Sequence, residues 1–411
     1  MNRSGTTVSV RTRAAAEGED LLSIAARLDD PFVWVHGPDG FVASGEAARV
    51  EVGSGEDRFA HAAARLRDAF SQIGGRAVAF GSFAFDHAST DSVLTIPATV
   101  WESRGAEVTV TNVGDDPAVL DEAPRGRTGA RVRYAGSTIG EVAWLEEVAD
   151  AVTRIERGPL EKVVLARDVL VWSEEPFDVP VLLRRLAARF PGCFTFSCAG
   201  LVGATPELLV SRRGREVSSL VLAGSVARSA DEDEDARLAH GMMTSEKNLV
   251  EHRLAVESLV GPLEKVCAGL HVDAAPSLLR LANVQHLATH VRGTLAENLT
   301  ALELAGLLHP TAAVCGTPRG DALETIRELE GMDRGRYSGP VGWVDSNGDG
   351  EWGIALRCGR FEGARGRLFA GNGIVAGSEP EDELEETRLK LRAMMSALEG
   401  PRASTSRDRA I

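Results

Sequence analysis

No run of about 18 uncharged apolar residues, the length that a membrane-crossing helix needs, occurs anywhere in the 411 residues. The opening MNRSGTTVSVRTR likewise lacks the apolar stretch of a signal peptide, so the cytoplasm is the expected compartment. Positive charge is in short supply: 45 lysines and arginines stand against 60 aspartates and glutamates, a net charge of -15. Such a chain has no broad basic face to displace counterions from nucleic acid or to lie on anionic lipid, and neither is an expected partner. Cysteine is scarce. Cys193, Cys198, Cys267, Cys315 and Cys358 are odd in number with no CxxC pair, which argues against a disulfide framework or a zinc knuckle and leaves most of them as small core residues. An anionic substrate stays compatible with this composition if a few arginines, lysines or a metal ion converge against the acidic background.

What is present is a chain with 44% hydrophobic residues, enough for one large core or two ordinary ones. Residues 1–130 are expected to form a β-rich N-terminal subdomain: PFVWVH, AVAFGSFAF, VLTIPATVW and EVTVTNV read as strands, while Phe59, Ala62, Ala63, Leu66 and Phe70 recur at helical spacing. The polar, turn-rich stretch 114–136 reads as a connection to a catalytic region, 131–399. There Trp144, Val148, Ala151, Val152 and Ile155 share a helical face that Gly158 ends, and the strand KVVLARDVLVW follows. EVSSLVLAG after Arg213-Gly214, and VGWVD before EWGIALR, read as antiparallel hairpins, so the expected class is α+β and not a doubly wound parallel sheet. The tail, 400–411, has no periodicity and is expected to be disordered.

Several motifs fall away on inspection. Asp345, Asn347, Asp349 and Gly350 begin like a calcium-binding loop, but Leu356 stands where a bidentate Glu is required, so a hairpin turn is expected. Gly371-Asn372-Gly373, read as lying between an apolar run and a helix, resembles a phosphate loop without its third glycine or downstream acid. His286 and His290 are four apart, yet Gly293 and β-branched neighbours argue against a helix and no third metal ligand is evident.

Other groups keep two readings open. Glu383, Glu386 and Lys390 share a helical face, either solvated with one i,i+4 pair or functional. Glu251 and His252 lie in the helical segment SEKNLVEHRLAVESL and could simply face water. Strand alternation puts Lys162 with Val164 and Ala166, where it is either at an exposed strand end or buried with a lowered pKa. Glu207 in TPELL is either a surface carboxylate at a turn or an acid whose apolar setting raises its pKa.

Taken together and in order, the words EKVVLAR, GATPELLV, LAGSVAR, SEKNLVEH, QHLATHVRG, HPTAAVCGTPRGDAL, RYSGPVGWVDSNGDGEWGIALRCGR and LFAGNGIVAGSEPEDELEETRLKL, from 161 to 391, resemble the chorismate-utilising enzymes. The resemblance implies two large antiparallel sheets packed as a sandwich, with helices outside and a cleft between distant motifs. By position it implies Glu251 and Glu386 as magnesium ligands, with Glu383 beside them. Magnesium is hard, prefers oxygen and keeps several waters, which suits a site that grips a carboxylate. Tyr337, Arg357 and the Gly371 backbone resemble the pocket for the enolpyruvyl carboxylate. Lys390, Gly224, Ser225 and His286 complete the implied substrate site.

The implied chemistry divides between Lys162, the base that activates water at ring carbon 2, and Glu207, the acid that protonates the hydroxyl leaving carbon 4. Lys162 stands where anthranilate-forming relatives usually have glutamine. Ala223 stands where many aminodeoxychorismate synthases have a nucleophilic lysine. Ser225 replaces the threonine frequent in salicylate synthases. The expected activity is therefore that of an isochorismate synthase, serving menaquinone or siderophore synthesis as a monomer without an obligatory glutaminase subunit. A salicylate synthase and the large subunit of an aminating complex are the alternatives. Asn248 departs from the acidic residue frequent at its position, which lowers negative charge near the implied metal.

Overall fold

The computed structural model describes residues 8–15, 19–105, 107–115, 117–120 and 131–400. The tail, apart from Gly400, and the centre of the 114–136 connection lie outside these residues. Among the described residues the strands form two antiparallel sheets, of twelve and ten strands. Their inner faces share an aromatic core: Trp34, Phe41, Phe196 and Phe369 from the larger sheet meet Phe80 and Trp343 from the smaller. Phe41 lies 4.6 Å from Trp343 and 5.6 Å from Phe80, centroid to centroid, which knits the two layers. The expected α+β sandwich is the observed one.

Helices cover the outer faces because strand alternation leaves an apolar row on that side as well. On the larger sheet, Leu183 and Leu186 of Val179–Arg189 and Leu391 and Met394 of Pro380–Glu399 pack on Val33, Val202 and Leu368. On the smaller, Phe59 of Arg58–Ser71, Ala255 and Leu259 of Glu246–Glu264 and Leu302 of Ala301–Leu308 pack on Ala79, Leu209, Val217 and Val291. Glu141–Arg157 ends at Gly158, and its buried Trp144 and Val148 sit on Val163 and Leu165.

The β-rich first 130 residues do not build a sheet of their own. Phe32–His36 pairs with Phe194–Cys198 in one sheet, and Val78–Ser82 pairs with Pro340–Asp345 in the other. They extend both sheets at one end, leaving the opposite end to residues beyond 131. The 345–350 turn is the expected hairpin, with Asp345 Oδ1 accepting from the backbone N–H of Asn347 at 2.9 Å and Asp349 at 3.1 Å.

Candidate active site

The Lys162–Trp172 strand pairs along its whole length with Arg365–Val375, placing Val164 opposite Gly373 and Ala166 opposite Gly371. Gly371-Asn372-Gly373 is therefore strand and not a loop before a helix, because the ladder continues through Val375. Alternation sends Val163 and Leu165 to the helices, and Lys162, Val164 and Ala166 to the inner face. Lys162 has no exposed surface, since Gly316–Thr317 pairs outside it and closes the edge. The exposed-end reading is overturned. Its Nζ lies 3.2 Å from Glu251 Oε1, yet finds no aligned hydrogen bond among the described residues. A buried amine with unspent hydrogen-bonding capacity calls for a functional partner.

Ser245 caps the Glu246–Glu264 helix, its Oγ accepting from the Asn248 N–H at 3.4 Å. Two turns on, His252 is buried and within 3.2 Å of Ala223 O and 2.7 Å of Thr289 Oγ1, which pins the helix to two adjacent strands. Neither His252 nor Glu251 faces open water: Glu251 points into the cleft toward Lys162. Asn248 lies over Gly224, its Cβ 3.5 Å from where a side chain there would begin.

Opposite stands Glu207, at the turn where the chain passes from the larger to the smaller sheet, 5% exposed. Burial pushes its carboxyl up to about 8, against the opposing pull of Lys162 and Arg357, so at neutral pH it is a neutral acid. The surface-carboxylate reading fails here too. A register shift between Ala223 and Ser225 marks a bulge at Gly224, whose φ of 76° suits glycine. The bulge turns this backbone toward the cleft and brings Ser225 Oγ to 3.0 Å from His286 Nδ1.

His286 sits on the Val284–Leu295 strand, not a helix, and Arg357 approaches its Nε2 at 3.1 Å. A guanidinium only donates, so Nε2 is unprotonated and Nδ1–H points to Gly224 O at 3.2 Å. Burial, helped by the charges of Arg357 and Lys390, keeps this imidazole neutral by lowering its pKa well below the usual range. Arg357 and Ser338 both hold positive φ, 48° and 61°, a strained arrangement that few non-glycine residues adopt. Tyr337 stacks on Phe369 at 4.9 Å, and burial pushes its phenol up to about 12, leaving it a neutral donor.

The Glu383, Glu386 and Lys390 face is turned inward, with Glu383 and Lys390 buried and Glu386 half-buried. Glu383 is 2% and Lys390 9% exposed, and Lys390 Nζ forms an ion pair with Glu386 at 2.7 Å and donates to Asn372 Oδ1 at 2.7 Å and Gly371 O at 2.9 Å. Burial raises the Glu383 pKa, as does the nearby charge of Glu386. Each carboxylate is matched to a lysine: Glu251 to Lys162, Glu383 to Lys247 and Glu386 to Lys390. Among the described residues no group of three or more His, Cys, Asp or Glu forms a ready-made metal cage. The donor set nonetheless fits magnesium, which takes one or two carboxylates, keeps water and completes its shell with ligand oxygens. Glu383 and Glu386 lie close enough for the charge of one to raise the pKa of the other, a repulsion that a cation beside them would relieve.

Around one cleft the chain thus gathers Glu207, Gly224, Ser225, Glu251, His286, Tyr337, Arg357, Gly371 and Lys390, with Lys162 against Glu251, and Glu383 and Glu386 beside Lys390 and Lys247. The profile of the chorismate binding enzymes matches residues 82–399, which cover every one of these positions. The chain belongs to this family. Among its relatives, isochorismate synthase DhbC of Bacillus subtilis is 44% identical over 263 residues, 61% of this chain and 66% of that protein. The chain thus aligns with just under two thirds of that relative's length. The vibriobactin-specific isochorismate synthase of Vibrio cholerae is 36% identical over 324 residues, 77% of this chain and 78% of that one. The solved structure of MenF, the menaquinone-specific isochorismate synthase of Escherichia coli, superposes with a TM-score of 0.82 at 26% identity, covering 96% of each chain.

As a chorismate binding enzyme the chain also holds residues that sequence reasoning passed over. Lys247 precedes Glu251 by one helical turn, a spacing visible in SEKNLVEH, but its partner Glu383 is 136 positions away. Asn372 links Lys390 to Glu383, donating to the Glu383 backbone oxygen at 2.6 Å and Oε2 at 3.1 Å. A buried pair, Glu330 and Arg334, backs the lysine strand: Glu330 accepts from the Ala166 N–H at 2.8 Å and Arg334 donates to Val164 O at 2.7 Å. A roomier cavity lined by Trp34, Phe194, Arg213 and Trp343 lies apart from all these groups. Its Arg76, Arg104 and Arg213 are already paired with acids, so we place the chemistry in the tighter cleft.

Gly373 gives a direct check of that placement. A Cβ there would stand 2.3 Å from Glu251 Oε1 and 2.7 Å from Lys162 Cε. Gly373→Ala is expected to fold but to push the Lys162 and Glu251 side chains apart, lowering kcat by about 100-fold, the usual cost of an ångström of misplacement. Steady-state kinetics beside a melting curve reads both effects.

Proposed function

We propose that the chain is a magnesium-dependent isochorismate synthase, moving the ring hydroxyl of chorismate from carbon 4 to carbon 2 by addition and loss of water. The observation that carries this reading is the pairing of a buried amine, Lys162, with a buried acid, Glu207, whose pKa of about 8 keeps it protonated at neutrality. The names and identities of the relatives, 36–44% for the two curated isochorismate synthases above, support the same reading.

In this mechanism Tyr337 and Arg357 hold the enolpyruvyl carboxylate by charge-assisted hydrogen bonds, with the guanidinium oriented by the unprotonated Nε2 of His286. Magnesium, when bound by Glu251, Glu383 and Glu386, supplies a hard positive charge for the ring carboxylate. Lys162 takes a proton from water as the water oxygen bonds to carbon 2. The ammonium it becomes sits against Glu251, 3.2 Å away. The two ring double bonds shift, the bond from carbon 4 to its hydroxyl breaks, and Glu207 gives that hydroxyl its proton so that it departs as water. The bulged backbone at Gly224 lies along the cleft wall against the ring.

Water is the nucleophile in this proposal, which also takes the chain as a monomeric cytoplasmic enzyme with no glutaminase partner. Incubating the purified protein with chorismate and magnesium and resolving the products by NMR tests it. Isochorismate in reversible equilibrium with chorismate is the expected result. Accumulating pyruvate with salicylate, or turnover only with ammonium, would replace it with the salicylate-forming or aminating alternative.

A further inference from the structure

Lys247 reaches from the Glu246–Glu264 helix to the Pro380–Glu399 helix, where its ammonium meets Glu383 Oε1 at 2.6 Å. The two partners are unlike: the Glu383 side chain is 2% exposed and that of Lys247 35%. Glu383 cannot leave, because Asn372 holds its backbone oxygen and its other carboxylate oxygen. Lys247 can, since its long stem already opens to solvent. Besides its contact with Glu383, it lies within the fields of Glu251 and Glu386. The three carboxylates assigned to the metal all act on this one ammonium. Lys162 and Lys390, by contrast, lie deeper and hold Glu251 and Glu386 from the cleft side.

We propose that Lys247 is a displaceable occupant of the metal position: its ammonium neutralises the acidic cluster before loading, and the divalent ion binds only as Lys247 swings off Glu383 toward solvent. The inference rests on the metal assignment proposed above. Its consequence is a built-in competition, so that the metal affinity of the chain is set by a residue that contributes no ligand. A lysine that merely tied the two helices together would have the opposite signature, with its loss loosening the carboxylates and weakening the metal.

Manganese, read by its free-ion EPR signal, is the probe, with the full chain as wild type, Lys247→Met and Lys247→Gln. The expected result is manganese binding tightened by roughly tenfold in both variants, within the ordinary range of coupling between ligands that exclude each other. Lys247→Arg, which keeps the charge, should return the affinity toward that of wild type. A second readout needs no variant: mass spectrometry after brief amine acetylation should show Lys247 modified faster in manganese-loaded than in metal-free wild type. Unchanged or weaker manganese binding in Lys247→Met, or protection of Lys247 on loading, overturns the inference while leaving the metal assignment standing. Absence of manganese binding in the wild type and in all three variants overturns both.

Discussion

Replacing Glu207 by glutamine is expected to lower kcat by about 10²- to 10⁴-fold, the range that a positioned general acid supplies. Glutamine keeps the volume of a side chain that is 5% exposed, so the loss reports the proton and not a cavity. The pH profile carries a second signature. Burial holds the Glu207 pKa at about 8, so wild-type turnover is expected to fall as pH rises through that value, because the departing hydroxyl then finds a carboxylate without a proton. The residual rate of the variant should lack that limb. Stability follows the same sign. A pKa raised above its unfolded value means that the native state holds the extra proton, so this group's contribution is intact below about pH 4.5 and lost as pH climbs through about 8. Glu207→Gln cannot ionise there, and its melting temperature should gain on that of wild type between about pH 5 and pH 9.

Lys162→Met is expected to cost turnover by a similar factor of about 10²- to 10⁴-fold, for the base and not the acid. Methionine fills most of the space of a side chain with no exposed surface, but it leaves Glu251 without the contact now made at 3.2 Å. Some stability is therefore lost along with activity, and the two must be separated. Chorismate binding does so: Tyr337, Arg357 and Lys390 are untouched, so KM should move far less than kcat. A variant that turns over at the wild-type rate would remove Lys162 from the chemistry. Equal losses in binding and turnover would make it a packing residue.

Local signals told much of this in advance, and non-local ones the rest. Period-two alternation put Lys162 with Val164 and Ala166 on one face, and the structure keeps that grouping. Its burial was invisible, because the edge is closed by Gly316–Thr317, some 150 positions on. Helical spacing grouped Glu383, Glu386 and Lys390, but only packing on the Arg365–Val375 strand decides that this face is inside. The same strand corrected Gly371-Asn372-Gly373: Gly373, which looks like part of a loop in sequence, lets Lys162 and Glu251 approach the backbone, and Gly371 lets the Leu165–Ala166 backbone come close. The N-terminal strands could be located but not partnered, since their ladders with Phe194–Cys198 and Pro340–Asp345 span more than 150 residues. His252 and Lys247 were missed or misread for one reason: a helix shows its faces in sequence, but not which of them meets a sheet.

Whether the hydroxyl on carbon 2 comes from solvent tests the central claim most directly. With chorismate and magnesium in water enriched in oxygen-18, mass spectrometry of the product after a single turnover should find one labelled oxygen, located on carbon 2. Product carrying only its original oxygen would mean that the hydroxyl migrates within the ring, and an amine and an acid on either side of it would have no water to activate and none to release.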